Sequence, residues 1–470
     1  MREYLYQKLV ALLKQDIASG RWQENEKLPS IRQLSEEHKL AKITVQHALH
    51  KLEAQRIVVA KNRSGYYVAN TSNKNKAVES NTQIRSPRHI NMPDLFYQVM
   101  SYSAAFDVYP SAPASHSHSP HIALLNRSIA RAYREHNHHN SQYYASPKGA
   151  VQLRQQLSES YHQRGFHSDA ENFCITAGCQ NSLFIALMST CQPGDTVAIE
   201  SPGFYGVLQL LKQLNLNAVE LPVSYTQGLK AQQLEKAAAK WPIKACIVTP
   251  NFATPTGAMM PEEQKQQLVL SAEQLNITLI EDDIYADLGF HSTPKPLIAY
   301  TSSSPIILCS SWSKSLSRDL RLGWITTNKD IEPLVQNKLV NHLAESQNSQ
   351  KGMIDFIAEG HYSRHLSHFK QHLLKQRDQL ITTLNTHWQT DCRYTVPDGG
   401  LALWLQLPAH IDTLVLYKQA IKENIVITPG RLFTNSNEFT NYLRLPFAQS
   451  IDKPRSQALL RLGQLIEQCR

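Results

Sequence analysis

The chain has 470 residues, 42% of them hydrophobic and 19% charged, and a net charge of +9. That length exceeds one ordinary core, so two or three packed units are expected, with the composition of a soluble globular protein. The charged, amphipathic start and the absence of any run of about 18 apolar residues argue against a signal peptide and a membrane span, and seven scattered cysteines without a C-x-x-C pair fit a reducing cytoplasm rather than a disulfide scaffold.

The charge is unevenly placed. Residues 1–70 hold 12 Lys/Arg against 7 Asp/Glu, and residues 71–90 hold 4 against 1. An excess gathered at one end points to a polyanion partner for that end.

Taken in chain order, Leu5, Leu9, Leu12, Leu13 and Ile17 recur at helical spacing, and Gly20 stands where a terminating glycine belongs. Pro29-Ser30 precedes a second helix from Ile31, and Lys42 to Ala54 reads as a third, with Val45, Leu49 and Leu52 on one side. Ile57–Ala60, a polar turn ending in Gly65, and Tyr66–Ala69 read as a hairpin. Residues 71–90 lack apolar periodicity and are rich in Ser, Asn and Lys, which predicts a flexible linker.

Beyond it, short apolar runs at 173–176, 196–199, 245–248, 278–280 and 306–308 alternate with helical patterns. This predicts an α/β unit over 91–470, a mostly parallel sheet covered on both faces. The histidines at 116, 118 and 121, and at 136, 138 and 139, sit among Ser, Asn and Pro with no cysteine or carboxylate framework, so they read as a solvated polar loop and no metal site is expected.

The run from Leu28 to Leu34, the run from Ile43 to Glu53 and Ser64–Val68 fall in an order that resembles the GntR class of winged helix-turn-helix regulators. The resemblance implies that residues 1–70 bind double-stranded DNA, with the helix from Lys42 in the major groove. Lys42, Thr44, Gln46 and His47 would meet bases or phosphates, Arg32 the backbone, and Lys61 and Arg63 an adjacent groove or phosphate. Ala41-Lys42 stands where that class usually has Ser-Arg, and Gln46 where it often has Arg.

Ser310–Lys314, then Arg321 within Leu320–Trp324, preceded by Ile280–Tyr285 and Asn251–Gly257, resembles the fold-type I, pyridoxal-phosphate-dependent aminotransferases. That resemblance implies a large subdomain at about 121–325 and a smaller α+β subdomain from the flanking segments. Joined to the first domain, the whole resembles the MocR subgroup of GntR regulators. That resemblance implies pyridoxal 5′-phosphate as cofactor, with Lys314 supplying the Schiff-base amine, Asp282 facing the pyridinium nitrogen and Tyr285 the phenolic oxygen. Gly178, Cys179, Gln180, Ser311, Ser313 and Arg321 would hold the phosphate. Phe204 would stack on the ring, with Tyr205 the near alternative, and Thr254 takes the place of the family's usual Asn. Arg444 would clamp a carboxylate, and Tyr144 would reach the partner subunit's phosphate, which requires a homodimer. The expected function is a regulator that senses the cofactor or an amino compound; the alternative is an active class I/II aminotransferase with an accessory DNA-binding domain.

Overall fold

The computed structural model describes residues 5–23, 26–54, 57–61, 64–68, 83–90, 120–136, 144–300 and 303–469. The chain separates into two units, residues 1–74 and 75–470.

In the first unit, helices α1 (Leu5–Ala18), α2 (Ile31–Glu37) and α3 (Lys42–Ala54) are followed by strands β1 (Val58–Lys61) and β2 (Gly65–Val68). Leu9, Leu13, Leu34, Val45, Leu49, Leu52, Val58 and Val68 are buried together, so the apolar face of each element feeds one core. The two strands pair antiparallel from Val58↔Val68 to Lys61↔Gly65, and Lys27 bridges Tyr67 on the hairpin's other side. Ser30 starts α2 with a reciprocal cap: its Oγ accepts from Gln33 N at 3.2 Å, and Gln33 Oε1 accepts from Ser30 N at 2.8 Å. Ser35 Oγ donates to Leu40 O at 2.6 Å and closes the turn into α3.

The second unit is built on an eight-stranded sheet. Its strands are β3 (Arg88–His89), β4 (Phe173–Thr176), β5 (Thr196–Ser201), β6 (Asn217–Pro222), β7 (Ile243–Val248), β10 (Thr278–Asp282), β11 (Ile306–Ser311) and β12 (Gly323–Thr327), in the order β3-β6-β5-β7-β10-β11-β12-β4. A two-stranded ribbon, β8 (Asn251–Ala253) with β9 (Ala258–Met259), lies outside it. The central pairings from β6 to β11 are parallel, while β12 runs antiparallel between β11 and β4. Alternate residues feed two cores. Cys174, Val197, Ile280 and Ile307 join one; Phe173, Ile175, Ala198, Leu279 and Leu308 join the other. A four-stranded antiparallel sheet follows, formed by β13 (Arg393–Tyr394), β14 (Ala402–Gln406), β15 (Thr428–Pro429) and β16 (Tyr442–Pro446) in the order β13-β14-β16-β15. Its Trp404, Leu443 and Leu445 continue the first of those cores.

Three expectations need correction. Residues 83–90 are not free linker: Arg88 and His89 pair antiparallel with Ala218 and Asn217 of β6. Asn435 Nδ2 donates to His89 O at 3.1 Å, and Arg85 meets Glu438 at 2.6 Å. Residues 71–82 lie outside the described residues. The larger subdomain also extends past 325. The helix Gln347–Ala358 buries Met353 and Phe356 in a core of the large sheet and crosses the helix Pro120–His136 closely, since a Cβ on Gly352 would sit 2.5 Å from Ile129 Cγ1. His121, finally, is not solvated. It is buried at the start of that helix, 3.4 Å from His368 Nδ1 through Nε2 and stacked on its ring. His116, His118, His138 and His139 lie outside the described residues.

Replacing Ser30 by Ala removes the bond from Gln33 N to Ser30 Oγ and leaves the one from the residue 30 amide to Gln33 Oε1. The expected loss is about 1 kcal/mol of unfolding free energy, confined to the first unit. Hydrogen exchange of the α2 amides in urea reads it out, and unchanged protection there contradicts this account of the cap.

Candidate functional site

Parallel strands with a common register bring their carboxyl ends together, and in open α/β sheets that edge is where ligands sit. Here Asp282 closes β10, paired with Cys309 of β11. β11 runs on through Ser311 into the turn that carries Lys314. Across β12, Gly323 pairs with both Ser311 and Thr176. A Cβ on Gly323 would lie 2.6 Å from Ser310 O and 2.7 Å from Gly178 Cα, so only glycine permits this approach. Gly178 follows β4 at φ +105 and opens the helix Cys179–Thr190. The first-turn N–H groups of that helix have no carbonyl one turn behind them, so its N-terminus favours an anion.

These elements border one open cleft. Cys179, Gln180, Phe204, Asp282, Tyr285, Ser311, Ser313, Lys314 and Arg321 line it, together with Leu183 and Ile284. Sequence reasoning had singled out all nine of the former. Arg321, itself at φ +50, donates from Nη2 to Ala177 O at 2.9 Å and lies 3.0 Å from where a Cβ on Gly178 would be. Phe204 precedes the helix Tyr205–Gln213. Its ring occupies space that a side chain at Gly206 would need, and Gln180 Nε2 is anchored on Gly206 O at 2.9 Å. Tyr205 instead turns inward, buried against Phe433.

The electrostatics follow from lost water. Asp282 is buried; Cys179 Sγ donates to its Oδ1 at 3.3 Å and Ile284 N to the same oxygen at 3.2 Å. Burial pushes its carboxyl up to about 6, with Asp283 adding to the rise and Cys179, Ile284 and Lys314 opposing it. Lys314 is pulled down to about 7, first by desolvation and then by the positive charges of Arg318 and Arg444. Burial raises the Tyr285 hydroxyl to about 12 against the opposing charge of Arg444, with the neighbouring Thr254 side chain also opposing the rise. Arg444, in the centre of the small sheet on β16, is thus close enough to act on both Lys314 and Tyr285. Tyr144 lies away from this cluster, 79% exposed.

Sequence reasoning missed the supports. Asp283 receives Arg164 through Nη1 at 2.6 Å and Nη2 at 3.0 Å, the Tyr161 hydroxyl at 3.0 Å and Asn251 Nδ2 at 3.0 Å, all buried or nearly so. Asn251 is held in turn by Lys265 Nζ at 2.7 Å, so it is committed away from the cleft. His365 Nε2 lies 2.8 Å from Ser315 O, and the Tyr362 hydroxyl 3.0 Å from Ser315 Oγ, buttressing the Lys314 turn from below. Arg318 is the one residue with a local clue: a cation four residues after Lys314 and three before Arg321.

In the first unit, Lys42, Gln46 and His47 are exposed on α3 and Thr44 is half-buried. His47 is not fully free of the fold, since its ring lies 4.3 Å from that of Tyr6 on α1. Arg32 is exposed and pairs with Glu36 one turn on, at 3.0 Å. The Lys61 side chain and Arg63 lie outside the described residues. Among the described residues no group of three or more His, Cys, Asp or Glu is placed to hold a metal, and no helix is long and apolar enough to cross a membrane.

Both units match known families. Residues 116–461 match the family Aminotransferase class I and II, and residues 5–68 match Bacterial regulatory proteins, gntR family. The chain is 30% identical to the HTH-type transcriptional regulator YjiR of Escherichia coli strain K12 over 98% of both chains. It is 26% identical to the HTH-type transcriptional regulator NorG of Staphylococcus aureus strain USA300, over 93% of this chain and 98% of that one. Among solved structures, the α-aminoadipate aminotransferase LysN of Thermus thermophilus, complexed with N-(5′-phosphopyridoxyl)-L-leucine, superposes with a TM-score of 0.72 at 22% identity, covering 81% of this chain and 96% of that chain. The kynurenine aminotransferase of Pyrococcus horikoshii gives 0.71 at 21% identity, covering 81% and 95%.

A buried carboxyl raised from 3.8 to about 6 weakens the fold wherever it is ionised. The cost is absent below about pH 4, grows as pH rises towards 6 and is constant above. Asp282→Asn, in protein stripped of small molecules, is therefore expected to gain about 1–3 kcal/mol in urea unfolding at pH 7, at about 1.4 kcal/mol per pH unit, and nothing at pH 4. A loss of stability at pH 7 contradicts the desolvation account.

Proposed function

Because this chain belongs to the class I and II aminotransferase family and carries a gntR-family domain ahead of it, the MocR architecture, we propose that it is a DNA-binding transcription regulator whose larger unit binds pyridoxal 5′-phosphate and responds to that cofactor or to an amino compound. The observation that carries this reading is the convergence of Asp282, Lys314, Tyr285, Phe204 and Arg321 on one cleft at the carboxyl edge of the sheet.

The residues fit the group. The helix N-terminus after Gly178, Ser311, Ser313 and Arg321 offer donors and positive charge for a phosphate. Phe204 offers an aromatic face. Asp282 Oδ1 already accepts two hydrogen bonds, so the carboxylate is oriented before any ligand arrives, and a ring N–H⁺ would relieve its desolvation. When bound, the cofactor supplies an aldehyde that joins primary amines and a ring that withdraws electrons from them. The protein's part is to keep Lys314 largely unprotonated above about pH 7, which is the form that attacks a carbonyl. Thr254 stands near the Tyr285 hydroxyl and opposes its rise, so it acts on the ring oxygen through Tyr285. Arg444 receives the carboxylate of the amino compound, and the exposed Tyr144 serves the second subunit of a homodimer.

A signal must leave this site. Segment 434–438 leads along the chain to Arg444 on β16, and it also grips the strand that follows the linker, through Asn435 on His89 and Glu438 on Arg85. Glu220 ties the same segment to the large sheet: its Oε1 accepts from Thr434 Oγ1 at 2.6 Å, Asn435 N at 2.9 Å and Ser201 Oγ at 3.2 Å. This supports a route from carboxylate binding to the linker.

Borohydride treatment of cofactor-saturated protein is expected to fix the cofactor on Lys314, with the visible band lost in Lys314→Ala. Labelling elsewhere overturns the cofactor reading. Footprinting of a bound duplex with and without cofactor and candidate amines is expected to change, and Arg444→Ala to abolish the response to amines while leaving cofactor absorbance intact. Sustained turnover of an amino acid with an oxoacid, together with unchanged footprints, would favour the aminotransferase instead.

A further inference from the structure

The exposed face of α3 carries an apolar side chain that the fold does not use. The helix turns Val45, Ala48, Leu49 and Leu52 inward, each of them buried. Lys42, Gln46, His47 and His50 occupy the opposite, exposed side. Ile43 stands among them, 79% exposed, at the second residue of the helix. Helix propensity does not account for it, because isoleucine at an exposed helical position is a weaker choice than Lys, Arg, Gln or Glu. Packing does not account for it either, since so little of it is covered. A single exposed apolar residue is ordinary on a protein surface. What sets this one apart is its place, flanked at the helix's amino end by the cation Lys42 and the amide of Gln46, on the side that would face DNA bases.

The major-groove edges of the four base pairs carry donors, acceptors and one apolar group, the C5 methyl of thymine. An isoleucine held in one χ1 well by its branched carbon presents a stiff apolar end suited to that methyl and offers no hydrogen bond to any other base edge. We infer that Ile43 is a specificity-determining residue of this protein, discriminating thymine at one position of the bound duplex by packing on its C5 methyl group. The inference rests on the reading of α3 as the helix that enters the groove, and it adds an apolar base contact that Lys42, Gln46 and His47 do not supply and that Thr44, half-buried, is less free to make.

The test uses the full-length, cofactor-loaded protein and a duplex selected by it from a random-sequence pool. Each thymine of that duplex is replaced in turn by deoxyuridine, which removes the methyl and leaves every hydrogen-bonding group. For wild type, uracil at one position or its symmetry mate is expected to weaken binding about fourfold, the change that loss of one buried methyl-sized group corresponds to. Ile43→Ala is expected to bind the thymine duplex about fourfold more weakly and to lose the distinction between thymine and uracil there, with no loss of stability on unfolding because the side chain is exposed and Ala is the better helix former. A uracil penalty that persists in Ile43→Ala, or no uracil-sensitive position in wild type, overturns the inference. Lys42→Ala separates it from the underlying reading: uniform weakening across sequences, with a shallower salt dependence, supports groove entry by α3 even if Ile43 reads nothing. Failure to retain any duplex at low salt overturns both.

Discussion

Asp282 and Lys314 are ionisable groups of opposite sign, both drawn out of water at the ends of neighbouring parallel strands, and the surrounding structure answers that constraint. Desolvation raises the one towards 6 and lowers the other towards 7, so the pair sits near the edge of ionisation rather than deep in its charged state. A group in that condition needs fixed neighbours. Oδ1 of Asp282 has Cys179 and the Ile284 amide. The backbone just behind it is gripped by a second carboxylate, Asp283, whose oxygens take up Arg164, Tyr161 and Asn251. The Arg164–Asp283 pair is buried with its partners satisfied, so its worth lies in fixing the end of β10 rather than in net stability. The rigid part of the site is therefore a layer of buried hydrogen bonds one residue removed from the cleft.

Much of this was legible in the sequence, because the site is built from local chain segments. Lys314 and Arg321 share one turn, Asp282 and Tyr285 another, and Gly178 to Gln180 a third. Each follows a strand whose apolar run announces it. The three helices of the first unit were equally readable, since Ser30 and Gln33 cap within four residues and the apolar face repeats at helical spacing. The strand β12 was hidden: Gly323 and Trp324 stood out only as neighbours of Arg321, although Gly323–Thr327 joins β11 to β4 antiparallel and brings Gly178 beside Arg321. The supports could not be read at all. Arg164 lies 119 residues from Asp283, and His365 lies 50 residues from Ser315. Contacts of that span leave no periodicity in the chain, and a buried histidine such as His121 looks in sequence like any histidine in a polar stretch.

Composition misled at the linker for a related reason. Residues 83–90 read as little more apolar than those before them, yet they are tied to the large unit by backbone and side chains together: Arg88 and His89 add a short strand to an edge, Ile90 is buried in one core and Ile84 packs on the other. Polar edge strands are common where a sheet must not recruit another chain, so a stretch that reads as unstructured by hydrophobicity can still be ordered by its amides.

The energetics of that attachment decide how a signal would pass. Coupling between two sites is typically about 1–3 kcal/mol and must arise from contacts that differ between two states. The Arg85–Glu438 pair is exposed at 45% and 22%, and an exposed pair of this kind contributes about 0.2–1 kcal/mol, less in salt. It does not carry the coupling alone. The bond from Asn435 to His89 and the pairing of β3 with β6 must change with it, as one unit, for the linker to register what happens at Arg444. Glu220 is placed to make them one unit, because a single oxygen accepts from Ser201 at the end of β5 and from Thr434 and Asn435 on the small-sheet side. A shift of segment 434–438 that broke those bonds would leave a part-buried carboxylate with fewer partners, a cost large enough to make the change stepwise rather than gradual. The reciprocity of coupling then works backwards as well: strain on the linker from a DNA-bound first unit would alter the affinity of Arg444 for its carboxylate by the same factor.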